Sequence, residues 1–152
     1  MNIALIVKQA TIENLEEITK LFNEYRVFYK QESDLEGARH FLFDRFEHRE
    51  SIIFLAYETE FNHAIGFAQL YPSFSSISMK RSWILNDLYV CEKFRNNGAA
   101  SLLLEAAKSY AIQTKAKGIE LSTGINNDIA QRLYEKNDYI KDLDFYQYYL
   151  HV

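Results

Sequence analysis

Seven consecutive residues, Arg95, Asn96, Asn97, Gly98, Ala99, Ala100 and Ser101, have the composition of an anion site. Upstream lies the apolar run Ile84–Val90, which reads as a strand. Downstream, Leu102, Leu103, Ala106 and Tyr110 recur at helical spacing with no proline between them. A strand that turns directly into a helix aims the helix's first, unpaired N–H groups at one spot. Those donors and the positive end of the helix dipole suit phosphate. Gly98 lets a ligand approach the backbone, and Ala99 and Ala100 keep the helix start low. Arg95 adds a charge that persists at every physiological pH. Read without context, Arg95 is equally a solvated surface arginine.

The loop Arg95–Ala100 resembles the R/Q-x-x-G-x-G/A pyrophosphate loop of the GNAT superfamily of acyl-CoA-dependent N-acyltransferases. Leu88-Tyr89-Val90 resembles the strand end that precedes that loop. Asn126–Tyr139, NNDIAQRLYEKNDY, is similar to the family's second CoA-contacting segment, N-x-x-A-x-x-L-Y-E-K-x-G-F. Three matches in order extend the resemblance over nearly the whole chain. Asp138 departs from it, standing where that segment usually carries glycine, although Asp tolerates such turns better than most residues.

The resemblance implies direct transfer of an acyl group from acetyl-CoA to an amine, with Arg95–Ser101 receiving the pyrophosphate. It implies a central strand that carries a bulge and splays from the strand after the pyrophosphate helix. The pantetheine arm then runs along Leu88, Tyr89 and Val90 like an added strand, and an N–H near Val90 binds the thioester oxygen. The side chains of Leu88 and Val90 also read as ordinary core. Asn127, Ala130 and Tyr134 share one helix face, with Ile129 and Leu133 on a different, apolar one. The resemblance makes these three CoA contacts and Tyr134 the general acid, since a phenol of pKa about 10 can protonate a departing thiolate. Asn86-Asp87 lies just upstream of the expected bulge. The stretch resembles diamine acetyltransferases, which carry an acidic pair here, whereas this chain has Asn86 first. Asp87 is the candidate general base, acting through a water, with a structural hydrogen-bonding role as its other reading.

Other chemistries find less support. His40, His48, His63 and His151 have no metal spacing, and the single cysteine, Cys91, reads as packing. No Lys-Ser/Thr follows Gly98, so a P-loop is excluded. Net charge is −4, and Lys80-Arg81 is too short for a nucleic-acid patch, so no nucleic-acid partner is expected. No metal and no membrane span are expected, and the opening MNIALIVK reads as a strand rather than a leader, which gives a cytoplasmic expectation. The acceptor is open between a small molecule, polyamine or lysine-like, and a protein amine. A non-catalytic acyl-CoA-binding module is the alternative. Glu32, Asp34 and Glu36 suit either a cationic acceptor or plain capping and solubility.

With 152 residues, 48% of them apolar, the chain is expected to form one globular domain over 1–152. Strands are expected at Ile3–Gln9, Ser51–Glu58, Ala64–Ser73, Ile84–Val90, Ile119–Thr123, Tyr139–Lys141 and Phe145–Val152. Gly66 suggests a bulge or a close neighbour, and Phe74–Lys80 a flexible loop. Helices are expected from a capping box at Asn14 and Glu17 to about Tyr29, and from a cap at Ser33–Glu36 over the stripe Leu35, Ala38, Phe41, Leu42 and Phe46. Two more follow Gly98 and Asn126, the first ending at a Gly118 cap. The order β-α-α-β-β-β-α-β-α-β-β matches what the resemblance implies: an α/β (α+β) GNAT acyl-CoA N-acyltransferase fold, its sheet mixed but mostly antiparallel, with a splayed central strand pair and flanking helices. Phe145–Val152 is apolar on both faces, which points to a covered edge and, with the resemblance, to a homodimer.

Overall fold

The structure is a computed structural model and describes residues 3–152. The chain divides into two compact units, one up to Ser122 and one from Thr123 to Val152.

In the first unit, β1 (Leu5–Gln9), β2 (Ile52–Glu58), β3 (His63–Ser75), β4 (Lys80–Val90) and β5 (Ile119–Glu120) form one sheet in that order. All neighbours are antiparallel except β4 and β5, which are parallel. The helices are α1 (Leu15–Phe28), α2 (Leu35–Glu47) and α3 (Ala99–Gln113). Alternation along the strands separates two apolar layers. Ile53, Leu55 and Phe67 join Ile18, Phe22 and Leu42 of α1 and α2. On the opposite face Phe54 and Trp83 meet Tyr110 of α3.

The strand and helix expectations hold in most of this unit, with informative exceptions. Phe74–Lys80 is a loop only at its centre: residues 76–79 form the turn, while β3 runs to Ser75 and β4 starts at Lys80, with Phe74 paired to Arg81. Serines are no bar to a ladder once two long strands are already zipped. Asn14 is the N-cap residue of α1, but its side chain makes no cap hydrogen bond there. It closes a short 3-10 turn at Ile12–Asn14, in which Thr11 and Asn14 form the capping box, and its Nδ2 donates to Glu17. Asp34 is the N-cap of α2, its Oδ1 accepting from the Gly37 N–H at 2.9 Å. On α2 only Ala38 and Leu42 are fully buried, while Leu35 and Phe41 remain exposed. On α3 the buried face is Ala99, Leu103, Leu104, Ala107 and Ala111, so Leu102 turns outward. This helix ends at Gln113 with Thr114 as its cap, and the Gly118 carbonyl instead accepts from the Trp83 N–H.

Gly66 satisfies both expectations. The β2–β3 register shifts beside it, and a Cβ there would lie 2.6 Å from the Tyr89 carbonyl oxygen. The glycine therefore allows β3 and β4 to pair at this point.

The second unit contains α4 (Asp128–Lys136) and no strand among its described residues. The expected strands Tyr139–Lys141 and Phe145–Val152 are absent. Their β propensity is real, but a strand exists only with a ladder partner, and none pairs with them here. Ile140, Phe145, Tyr146, Tyr148, Tyr149 and Leu150 all stand exposed.

Candidate active site

Two features shape the outer half of β4. The first is a bulge. Gln69 pairs with Asp87 and Leu70 with Leu85, so Asn86 is the extra residue. The bulge thus sits at Asn86 itself, not downstream of Asn86-Asp87. The second is a splay. β5 pairs only with Trp83 and Ile84, so beyond Ile84 no strand covers that side of β4. The backbone of Leu88, Tyr89 and Val90 has β3 on one side and no strand on the other.

The bulge decides where Asp87 points. It resets the alternation so that Asp87 and Tyr89 share the α1 face with Gln69 and Phe67. Asp87 is only 3% exposed. Its Oδ2 accepts from Gln69 Nε2 at 2.5 Å and its Oδ1 from Asn86 Nδ2 at 3.0 Å. The Tyr25 phenol of α1 is the third polar group that acts on this carboxylate. Burial pushes the Asp87 carboxyl above its ordinary value, and the three hydrogen bonds pull against that rise. Burial, then the nearby Asp87 charge, lifts the phenols of Tyr25 and Tyr71 far above theirs, while Arg45 draws Tyr71 partly back. Gln69 is completely buried, and its Oε1 has no hydrogen-bond partner.

The loop to α3 is shaped by local hydrogen bonds. Asn97 Nδ2 donates to the carbonyls of Phe94 and Arg95, at 3.1 and 3.0 Å. Asn96 and Gly98 take left-handed backbone, φ 64° and 85°. Gly98 is the N-cap residue of α3, and no side chain caps the helix. Its first turn holds no acidic residue, and a Cβ on Gly98 would meet nothing within 4 Å. Space and dipole therefore both admit an anion. Ala99 is buried, while Ala100 and Ser101 are partly exposed. Arg95 is anchored, its Nε donating to the Val90 carbonyl at 2.8 Å and its guanidinium lying over Phe28 and Tyr89. No carboxylate pairs with it among the described residues. The structure thus brings Asp87, Leu88, Tyr89, Val90, Arg95 and the Asn96–Ser101 turn together on one strand and the turn that follows it.

Val90 is buried and Tyr89 packs against Tyr25, Phe28 and Phe67, so side-chain packing and an open backbone edge coexist. Cys91 shares Glu24 with the Tyr89 hydroxyl, and burial and that carboxylate push its thiol up to about 12. It is a protonated thiol, not a nucleophile.

The second unit carries the remaining candidates. Asn127 caps α4, its Oδ1 accepting from the Ala130 N–H at 3.2 Å. Ala130 and Tyr134 are partly buried, whereas Ile129 is exposed, so the apolar face expected for Ile129 is not a packed one. Tyr134 lies against Tyr139, ring centroids 5.8 Å apart. Burial and Tyr134 push the Tyr139 phenol up to about 12, and its hydroxyl is buried without a partner. Asp138 adopts φ 69°, the left-handed turn that glycine would otherwise supply.

Among the described residues no cluster of three or more His, Cys, Asp or Glu is placed to hold a metal, and no helix is long and apolar enough to cross a membrane. Gln69, Tyr25 and Tyr71 were missed by sequence reasoning. A glutamine inside the apolar run Ala64–Leu70 was the available signal for the first. Tyr25 merged with the helical stripe of α1.

The buried carboxyl has a measurable consequence. With its pKa raised on folding, the folded chain holds the Asp87 proton more tightly than the unfolded chain does. That contribution to stability is complete below the ordinary carboxylate value and is lost as pH rises through the raised one. Urea midpoints of wild type and Asp87→Asn, followed with pH, are expected to diverge in the variant's favour across that window. A difference that stays constant with pH would contradict burial as the cause of the shift.

The sequence profile of the acetyltransferase (GNAT) family matches residues 15–139. The chain is 50% identical over 146 residues to an uncharacterized N-acetyltransferase, YhfO, of Bacillus subtilis (strain 168), covering 96% of this chain and 97% of that protein. It is 32% identical over 149 residues to the D-amino-acid N-acetyltransferase HPA3 of Saccharomyces cerevisiae (strain ATCC 204508 / S288c), covering 97% of this chain and 92% of that one. Among solved structures, a probable acetyltransferase superposes with a TM-score of 0.92 at 44% identity, over 97% of each chain. The bulged, splayed β4 and the glycine turn that follows it are thus the framework of an acyltransferase, and the chain belongs to the GNAT acetyltransferase family.

Proposed function

We propose that this chain transfers an acetyl group directly from acetyl-CoA to a primary amine. The observation that carries the reading is the outer half of β4, bulged at Asn86, uncovered beyond Ile84 and followed by the open turn at Gly98. These features fit the donor. Arg95 and the N–H groups at the start of α3, over Asn96–Ser101, receive its pyrophosphate. The backbone of Leu88, Tyr89 and Val90 pairs with its pantetheine arm, and an N–H near Val90 stabilises the oxygen that becomes negative during transfer. Asn127 and Ala130 line the donor along α4. Asp87 takes the amine's proton, and Tyr134 returns one to the departing thiolate.

The acceptor is a small cationic amine, polyamine-like or lysine-like, or an amino acid. The carboxylates Asp34, Glu36 and Asp44, gathered on α2 and at its start, suit a cationic acceptor. Similarity to a D-amino-acid N-acetyltransferase supports the amino-acid member of that set. Spermidine, L-lysine and several D-amino acids form the test panel, with thiol release from acetyl-CoA as the readout. Amine-dependent release is expected, and Tyr134→Phe is expected to lower kcat about 10²-fold with little change in KM for acetyl-CoA. Binding of acetyl-CoA with no release for any amine would establish the non-catalytic alternative.

The working form is a homodimer. The exposed run from Phe145 to Val152 has strand composition and no ladder partner, and a second copy supplies one. Light scattering at micromolar concentration is expected to give twice the chain mass, falling to one chain mass on truncation after Asp144. A monomeric full-length chain would overturn this.

A further inference from the structure

Asp87 is an awkward base. It is 3% exposed, and both carboxylate oxygens already accept hydrogen bonds. An amine has no free access to it, so a neighbour must carry the proton. Of its three partners, Gln69 and Asn86 are amides, which donate but do not pass a proton on at neutral pH. Tyr25 is a phenol, able to donate to Asp87 while accepting from another group. It is also partly exposed, whereas Gln69 is fully buried.

The packing fixes Tyr25 in this place. Phe67 pairs with Tyr89 across β3 and β4, one step along the same face from the Gln69–Asp87 pair. The Tyr25 ring stands edge-on to both, at 5.7 Å from Phe67 and 6.2 Å from Tyr89. Those two rings hold it over the strand pair, on the face that carries Asp87.

We propose that Tyr25 is a catalytic residue whose hydroxyl relays the acceptor amine's proton to Asp87, and that Gln69 is the positioning residue that holds Asp87 for it. The inference rests on the acetyltransferase reading above. In the step, the amine nitrogen gives a proton to Tyr25 Oη as the Tyr25 O–H proton passes to an Asp87 oxygen. The tyrosine ends neutral, as it began, and Asp87 ends as the carboxylic acid. The nitrogen lone pair forms the C–N bond to the acyl carbon, the C–S bond breaks, and the departing sulfur takes up the proton of the Tyr134 hydroxyl. The groups that tune this pair are Tyr29 beside Tyr25 on α1, Tyr71 on β3, and Arg45 of α2, which acts on Tyr71. Tyr25 lies far above its ordinary value, so it stays protonated and transmits rather than ionises.

The test follows thiol release by the full chain, using acetyl-CoA and an equal mixture of spermidine, L-lysine and D-alanine, across the pH range. The acceptors' own ionisation is common to every variant. Tyr25→Phe is expected to lower kcat about 10²-fold with KM for acetyl-CoA unchanged, and Tyr25→Phe/Asp87→Asn to be no slower than Asp87→Asn. Gln69→Leu, which removes a hydrogen bond to the carboxylate, is expected to move the rising limb of the profile to higher pH. Should Tyr25→Phe fail to fold, as read by circular dichroism, fluorotyrosine at position 25 replaces it. A relay then shifts the profile, and a merely structural tyrosine does not. Wild-type kcat in Tyr25→Phe, with Asp87→Asn impaired, overturns the relay and leaves Asp87 as the base. Full activity in Asp87→Asn, or no thiol release by wild type, removes the reading beneath it and the relay with it.

Discussion

A carboxylate buried in a β-sheet is the constraint on which the rest of this site depends. Removing an ionised group from water costs several kcal/mol, even after relaxation. Hydrogen bonds to a charged acceptor, each contributing about 1.5–3 kcal/mol, recover part of that cost, and burial still outweighs them. Asp87 has them from Gln69, Asn86 and Tyr25. The bulge at Asn86 places the carboxylate on the α1 face, and the register of β3 places Gln69 opposite it. The requirement for a satisfied carboxylate thus fixes residues on α1, β3 and β4 together.

In the proposed function the same strand serves the donor end. Because β5 leaves β4 after Ile84, the backbone from Leu88 to Val90 has one uncovered side. Arg95 ties the following turn back to the Val90 carbonyl, which links the strand edge to the start of α3. Gly66 secures the other side of β4, since any side chain there would press on the Tyr89 carbonyl. Backbone geometry supplies the recognition surface, while the side chains of Tyr89 and Val90 pack inward.

Local chemistry was legible in the sequence, and long-range pairing was not. The Gly98 turn, an asparagine cap within one residue of Asn126 and the turn at Asp138 follow from residue types within a short window. The partners of Asp87 lie 18 and 62 positions away and depend on register, which a bulge resets by one residue. At Asn14 the miss was local: its side chain is taken by the capping box that Thr11 begins three residues earlier. The expected loop shrank to a turn at residues 76–79 because composition does not register how far the two flanking strands pair. At the C-terminus propensity suggested strands, but a strand also needs a neighbour, and a single chain's sequence does not say whether one exists.

The central claim is that the donor adds to the open side of β4 and caps the start of α3. Amide hydrogen exchange with and without acetyl-CoA reads both contacts at residue level. The account predicts slowed exchange within Leu88–Val90 and at Ala99 and Ala100 when acetyl-CoA is present, with the β1–β2 ladder unchanged. Binding that leaves those amides exchanging at their free rates, or that protects a different edge of the sheet, would contradict it.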